Sequence, residues 1–241
     1  MIVKYILTKP TILYNGVMNK QLIIFDLDGT LIDSALDLAM AVNYMLETLN
    51  RDTFDEDIIR GWVGNGAQTL VKRALVGQRD INQDIDEKLF NNALKIFLEY
   101  YAKNLAVKTK MYDGVESTLR ALHSDNYRLA IVTNKPYDFV EPILNQLNIL
   151  NLFELYLGGD SLDLKKPDPA PLEYVANKLG VDIKHCMMIG DSKNDILAAK
   201  ACDMKSIAVT YGYNYGEDIA IYKPTFKVDS FSDILEILKS T

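Results

Sequence analysis

The stretch "LIIFDLDG" sets the tightest limit on how this chain folds. Leu22 to Phe25 is apolar at every position and rich in β-favouring side chains, so it reads as a strand buried on both faces. Such a strand belongs inside a parallel sheet, with helices over each side. Its backbone groups need partner strands, and these follow later in the chain. "YRLAIVTN", "LFELYLGGD", "HCMMIGD", "KSIAVTYG" and "TFKVDS" read as strands. They alternate with helical stretches: "GVESTLRALHSD", "YDFVEPILNQLN", "PAPLEYVANKLG", "NDILAAKACD" and "FSDILEILKS". This alternation predicts a doubly wound, parallel α/β sheet.

Between the first strand and the rest lies a block with helical periodicity and no clear strand. In "SALDLAMAVNYMLETLN", Ala35, Leu38, Val42, Met45 and Leu49 fall on one helix face, with Ser34 as N-cap. "DTFDEDIIRGWV" predicts a short helix after a capping Asp/Thr start, and "GAQTLVKRALVG" one ended by Gly77. "DIDEKLFNNALKIFLEYYAKN" predicts a long helix with Ile85, Leu89, Ala93, Ile96 and Tyr100 on one side. The expected organisation is a discontinuous core, residues 18–33 plus 109–241, carrying an inserted helical domain over 34–108. Residues 1–17 fit two readings. They are a peripheral addition before a start at Met18, or a hairpin of "IVKYIL" and "TILYNG" around Lys9-Pro10.

The net charge of -7 and the absence of a dense Lys/Arg cluster argue against a nucleic-acid partner. No apolar segment is long enough to span a membrane or to serve as a signal peptide. Cys186 and Cys202 lack any zinc-like or CxxC spacing and are expected to be reduced thiols of a cytoplasmic protein. His123 and His185 stand alone and are expected at the surface.

Ligands of open α/β sheets bind at the carboxyl ends of the strands. Asp26 and Asp28 follow the first strand, and Thr133 and Asn134 follow "YRLAIV". Gly158, Gly159 and Asp160 follow "ELYL", with Lys166 a little further on; Gly190, Asp191, Ser192, Asn194 and Asp195 follow "CMMI". Carboxylates, a hydroxyl and a lysine therefore meet at one edge. Mg²⁺ prefers a few carboxylates plus phosphate and water, and Asp26, Asp28 and Asp191 supply them. A carboxylate is a competent nucleophile towards phosphorus, a second carboxyl can protonate the leaving oxygen, and a lysine and a hydroxyl can hold phosphoryl oxygens. The chemistry expected is phosphoryl transfer.

"DLDGTLIDS", "IVTNK", "KKPDPAPL" and "GDSKND" resemble the four motifs of the haloacid-dehalogenase superfamily, and the likeness spans the chain from about Met18. It implies a Rossmann-like core with a helical type-1 cap. It also implies roles: Asp26 the nucleophile, Asp28 the general acid/base and, through its main-chain carbonyl, a metal ligand. Thr133 would bind phosphate, Lys166 would pair with nucleophile and phosphate, Asp191 would bind Mg²⁺, and Asp195 would support it. Asp28 argues against dehalogenases and phosphonatases, and Leu27 against P-type ATPases.

"WVGNGAQTLVKRAL" and "GGDSLDLKKPDPAPL" are similar to bacterial phosphoglycolate phosphatases. The implied activity is hydrolysis of 2-phosphoglycolate. A broader small-metabolite phosphatase, a pyrophosphatase, a β-phosphoglucomutase-like mutase and a silent phosphate-binding scaffold stay open beside it. Gly64, Asn65 and Gly66 would form a loop closing over a small anionic phosphomonoester. Arg73 is a candidate for the substrate's carboxylate; the other reading makes Lys72 and Arg73 a solvated helix face. Trp62 is expected in the cap core, and Asp33 at a hinge or helix cap. Oligomeric state is left open. Two departures from the family pattern are Asp113-Gly114, where Asp is expected to cap the next helix, and Cys202-Asp203 where Gly is usual.

Overall fold

The computed structural model describes the backbone of residues 6–7 and the whole of residues 21–240. Most of the expected N-terminal hairpin, and the alternative start at Met18, lie outside the described residues. Ile6–Leu7 forms the strand β1, antiparallel to a later strand at Leu155 and Tyr156.

The first core strand is β2 (Leu22–Phe25), and every side chain in it is buried. Ile23 and Phe25 join one apolar cluster, Leu22 and Ile24 another. Alternate side chains point to opposite faces of a strand, so the uninterrupted apolar run reflects a sheet covered on both sides.

A short β3 (Ile32–Asp33) then leads into α1 (Ala35–Thr48), α2 (Glu56–Arg60), α3 (Ala67–Val76) and α4 (Glu87–Lys103). The chain returns through β4 (Lys110–Met111), which pairs antiparallel with β3. No strand lies between β3 and β4. The return is pinned by buried Asp37 of α1. Its carboxylate accepts from the Lys108 and Thr109 N–H groups and from the Thr109 hydroxyl, at 2.7–3.0 Å.

Three local expectations change. Helix α4 buries Ala93, Phe97 and Tyr101, while Leu89, Ile96 and Tyr100 are half-buried and Ile85 precedes the helix. The Ala93 stripe continues at four-residue steps onto the two aromatics, whose larger apolar area makes them the better face to bury. Helix α2 starts at Glu56 with Asp55, not Asp52 or Thr53, at its N-cap. Gly114, not Asp113, takes the N-cap of α5 (Val115–Ser124).

The alternation then runs as read from the sequence. It passes through β5 (Arg128–Val132), α6 (Tyr137–Gln146), β6 (Leu155–Leu157), α7 (Ala170–Leu179) and β7 (Cys186–Gly190). It ends with α8 (Lys193–Ala201), β8 (Lys205–Val209), β9 (Phe226–Val228) and α9 (Ile234–Ser240). The sheet order is β1-β6-β5-β2-β7-β8-β9, parallel except for β1. Phe25 aligns with Ile131 on one side and Ile189 on the other. The chain departs from β2 in opposite directions, so β2 lies at the topological switch point where such sheets bind ligands.

Candidate active site

Asp26 is the first residue past β2, and its N–H donates to the Ile189 carbonyl at 2.9 Å. The ladder is thus continued one residue beyond the strand, and the carboxylate is fixed between β5 and β7. Lys166 reaches it from the segment after β6. Lys166 Nζ lies 3.1 Å from Asp26 Oδ1 and donates to Asp195 Oδ1 at 2.6 Å. All three groups are buried. Burial opposes the charge on Lys166, but the attraction of Asp195 and Asp26 outweighs it and raises its pKa.

Asp191 follows β7. Its Oδ1 accepts from the Thr30 hydroxyl at 2.8 Å and its Oδ2 from the Tyr213 N–H at 2.7 Å. The backbone approaches closely on both sides: a Cβ on Gly29 would lie 2.3 Å from Asp191 Oδ2, and one on Gly212 2.2 Å from Asp191 Cβ. Gly29 also has φ +85°, which disfavours any other residue. Asp195 does two jobs in α8. Besides holding Lys166, its Oδ2 accepts from the Ser192 N–H and hydroxyl at 3.0 and 2.8 Å.

Oxygens of Asp26, Asp191 and Asp195 lie within 4.8 Å of one another. Burial pushes the Asp26 carboxyl up to about 7, with Lys166 pulling it down and Asp195 pushing further up. Asp191 is also raised well above the usual carboxylate range, by burial and then by Asp195 and Asp26. Asp26 Oδ1, though paired in charge with Lys166, has no hydrogen-bond partner. Buried carboxylates short of positive charge and a buried oxygen short of a donor are what a divalent cation relieves. The donor set therefore fits Mg²⁺.

Asp28 stands apart from that cluster. Its Oδ1 accepts from the Ser34 hydroxyl at 2.5 Å, and Lys135 Nζ sits 2.9 and 3.1 Å from its two oxygens. Among the expected metal-holding side chains, Asp195 takes the place of Asp28 in the acidic group, so any metal role for Asp28 rests on its main-chain carbonyl. Ser34 occupies the N-cap of α1, but its hydroxyl is turned to Asp28 and caps nothing.

A cavity opens beside Asp26, Asp28, Thr133 and Asn134, walled by Leu38, Val63, Leu70, Phe97 and Phe139. Thr133 Oγ1 accepts the Lys135 N–H at 3.2 Å. The Asn134 amide donates to the Gly64 carbonyl at 3.1 Å and the Lys166 carbonyl at 2.9 Å. Gly64 and Gly66 line the cavity. The loop they belong to is held by the core: Asn194 donates to the Gly64 carbonyl, Lys165 to the Asn65 carbonyl, and Tyr215 to Asn65 Oδ1, at 2.8–3.1 Å.

Arg73 is placed elsewhere. Its Nη1 donates to the Trp62 carbonyl at 2.6 Å and its Nε to the Arg79 carbonyl at 2.9 Å, with Tyr215 under the guanidinium. Those carbonyls occupy the fork that a carboxylate would need. Lys72 lies over the Phe90 ring. Trp62 is buried against Phe54 in the helical block.

Lys135, Tyr101 and the "YGYNYG" stretch belong to the site without a sequence motif that assigns them a role. Lys135 sits inside the quoted "IVTNK", directly after two assigned residues, and that adjacency was the available signal. Tyr213 had none: its hydroxyl donates to Asp33 Oδ1 at 2.6 Å and accepts from the Ser34 N–H at 2.9 Å, across 179–180 residues. Asp33 also takes a bidentate pair from Arg60, at 3.0 and 3.2 Å, and the Ala35 N–H. It stays outside the acidic cluster, at the end of β3 just before α1. Both cysteines are free. Among the described residues, no helix is long and apolar enough to cross a membrane.

The comparisons agree with this geometry. The chain is 54% identical over 220 residues to the phosphoglycolate phosphatase of Colwellia psychrerythraea, covering 91% of this chain and 97% of that one. It is 46% identical to that of Psychrobacter arcticus, over 92% of this chain and 96% of that one. A Haemophilus somnus crystal structure, described as a predicted phosphoglycolate phosphatase, superposes with a TM-score of 0.85 at 41% identity. It covers 92% of this chain and 99% of its own. The profile of the haloacid dehalogenase-like hydrolases matches residues 23–209. A buried aspartate between two parallel strands, beside an ammonium and two further carboxylates, is set in a chain with these relatives, which makes it a phosphoester-hydrolysing member of the haloacid dehalogenase-like hydrolase family.

Proposed function

We propose that this enzyme hydrolyses 2-phosphoglycolate to glycolate and phosphate, through a phosphorylated Asp26 and with Mg²⁺. The observation that carries the covalent reading is Asp26 itself: a carboxylate at the switch point, held beside Lys166, with a buried oxygen lacking a hydrogen-bond partner. The 2-phosphoglycolate reading draws on the names of the relatives at 54% and 46% identity.

Asp26 attacks phosphorus, and the bond to the leaving oxygen breaks. Asp28, entering this step as the carboxylic acid, gives that oxygen its proton, so the product leaves as an alcohol. Asp28, now ionised, takes a proton from water; the hydroxide equivalent attacks phosphorus, and Asp26 is released with inorganic phosphate. Lys166 holds a phosphoryl oxygen through both steps. Thr133 keeps its hydroxyl proton for another, because its oxygen already accepts from the Lys135 N–H. Bound Mg²⁺, held by Asp26, Asp191 and the Asp28 carbonyl, would supply charge neutralisation for the dianionic phosphoryl group. The helical block, residues 34–108 in this reading, excludes bulk water through the Gly64–Gly66 loop.

One finding favours a broader range of small phosphomonoesters: Arg73 is committed to cap carbonyls and does not reach the cavity for the substrate's carboxylate. A phosphate-release screen over small phosphomonoesters with Mg²⁺, run beside Asp26→Asn, decides between these. Preference for 2-phosphoglycolate, lost in the variant, is the expected result. Activity in Asp26→Asn removes the covalent mechanism, and a flat substrate profile removes the 2-phosphoglycolate assignment.

A further inference from the structure

Lys135 is a buried lysine in a largely apolar wall, and the chemistry assigned so far makes no use of its charge. Its side chain is 2% exposed. Its Nζ donates to both oxygens of Asp28 and, at 2.7 Å, to the Tyr101 hydroxyl. Taking an ammonium out of water is costly, and only well-placed partners repay that cost. A neutral side chain would fill the same space without that cost.

The partners explain its presence. Asp28 projects into the cavity from a short turn, and a carboxylate there is free to rotate about its side-chain bonds. The Ser34 hydroxyl fixes Oδ1 alone. The Lys135 ammonium spans both oxygens and so fixes the plane of the group. Tyr101 in turn fixes the ammonium. It comes from the last turn of α4, in the helical block, and is wedged between Phe97 and Phe139. Lys135 follows β5 in the core. The Lys135–Tyr101 bond therefore crosses from core to helical block, and Ser34 stands where the chain enters that block.

We infer that Lys135 is the positioning residue for the Asp28 carboxyl, and that Tyr101 makes this positioning depend on the helical block being seated on the core. The inference rests on the acid/base reading of Asp28 given above. Lys135 acts through Asp28; it neither attacks phosphorus nor transfers a proton. A block swung away from the core takes Tyr101 from Lys135 and loosens Asp28. The proton donor is then aligned only when the site is closed to water.

The test separates positioning from simple structural support. Lys135→Met, Lys135→Arg, Tyr101→Phe and Asp28→Asn are compared on 2-phosphoglycolate and on 2,4-dinitrophenyl phosphate by rapid mixing. The dinitrophenolate leaves without a proton, so phosphorylation of Asp26 by that substrate needs no acid. Lys135→Met is expected to lose on the order of 10²-fold in kcat on 2-phosphoglycolate. With the dinitrophenyl ester it keeps a phenolate burst whose rate constant is within about 3-fold of wild type, followed by slow turnover, because water attack still needs Asp28. Tyr101→Phe shows the same pattern with a smaller loss, and Lys135→Arg recovers part of it. The burst rate constant is independent of the fraction of enzyme that folds, so a poorly folding variant still reports.

A burst rate that falls as far as the 2-phosphoglycolate rate overturns the inference, because Lys135 would then be binding the phosphoryl group. Unchanged turnover of 2-phosphoglycolate in Lys135→Met overturns it as well. An Asp28→Asn enzyme without the leaving-group pattern overturns the acid/base reading itself, whatever Lys135 does.

Discussion

The Tyr215 hydroxyl donates to Asn65 Oδ1 at 2.8 Å, joining the loop after β8 to the glycine loop of the helical block. The same hydroxyl accepts from Asn194 at 3.2 Å. Tyr215 thus ties the glycine loop of the helical block to α8 and the loop after β8.

Tyr215→Phe removes both hydrogen bonds and keeps the ring against Arg73. Each bond contributes about 0.5–1.5 kcal/mol. The expected result is a rise of about 3- to 10-fold in KM and a modest fall in Tm, with kcat close to wild type. Steady-state kinetics on the preferred phosphomonoester checks it. An unchanged KM means the contact does not hold the site closed.

Gly212→Ala drives a methyl group to within 2.2 Å of Asp191 Cβ. Asp191 must shift, because Thr30 and the Tyr213 backbone hold its other side. Displacing a ligand's support typically costs 10- to 100-fold in metal affinity, and a weakening of about that size is expected for Mg²⁺. Calorimetric titration of Mg²⁺ into the variant measures this without any turnover.

The Asp33 carboxyl titrates below its usual range. Burial would raise it, but the hydrogen bonds from Tyr213 and Arg60 outweigh that. A lowered folded-state pKa adds stability above the unfolded value of about 3.9, and loses it as pH falls through the folded value. Asp33 and Arg60 are partly exposed, so the gain is modest, under about 1 kcal/mol. Asp33→Asn should lower Tm at pH 7, and the difference should shrink below about pH 4. A difference independent of pH would assign the effect to packing.

Asp203 adopts φ 56°, the left-handed conformation just past α8. A side chain there costs roughly 1 kcal/mol relative to glycine. Asp203→Gly is expected to raise Tm by about 2–4 °C, measured by calorimetry. No rise would mean that Asp203 recovers the cost through a local contact.

The core was legible because its signals are local. A short apolar run rich in β-favouring side chains and bounded by turn residues reads as a buried strand, and residues that follow such strands meet at one sheet edge. That logic brought Asp26, Thr133, Lys166 and Asp191 together from four separate stretches. The helical block was less legible. Helix α4 carries apolar residues on more than one face, and only its neighbours select Ala93, Phe97 and Tyr101 for burial. Arg73 has the right chemistry for a carboxylate, but the Trp62 and Arg79 carbonyls claim it first.

The sequence by itself determined the parallel sheet, the inserted helical block and the family of chemistry, since strand patterning and the residues adjoining each strand are written along the chain. Only the tertiary structure decided how the carboxylates divide their work. Asp195 is bound to Lys166, Asp28 to a lysine 107 residues away, and Asp26 keeps an oxygen without a hydrogen bond. Which ammonium meets which carboxylate depends on distances of about 3 Å between remote segments. No local pattern encodes such a distance; the strand order and the packing of the segments that follow β2, β5, β6 and β7 set it.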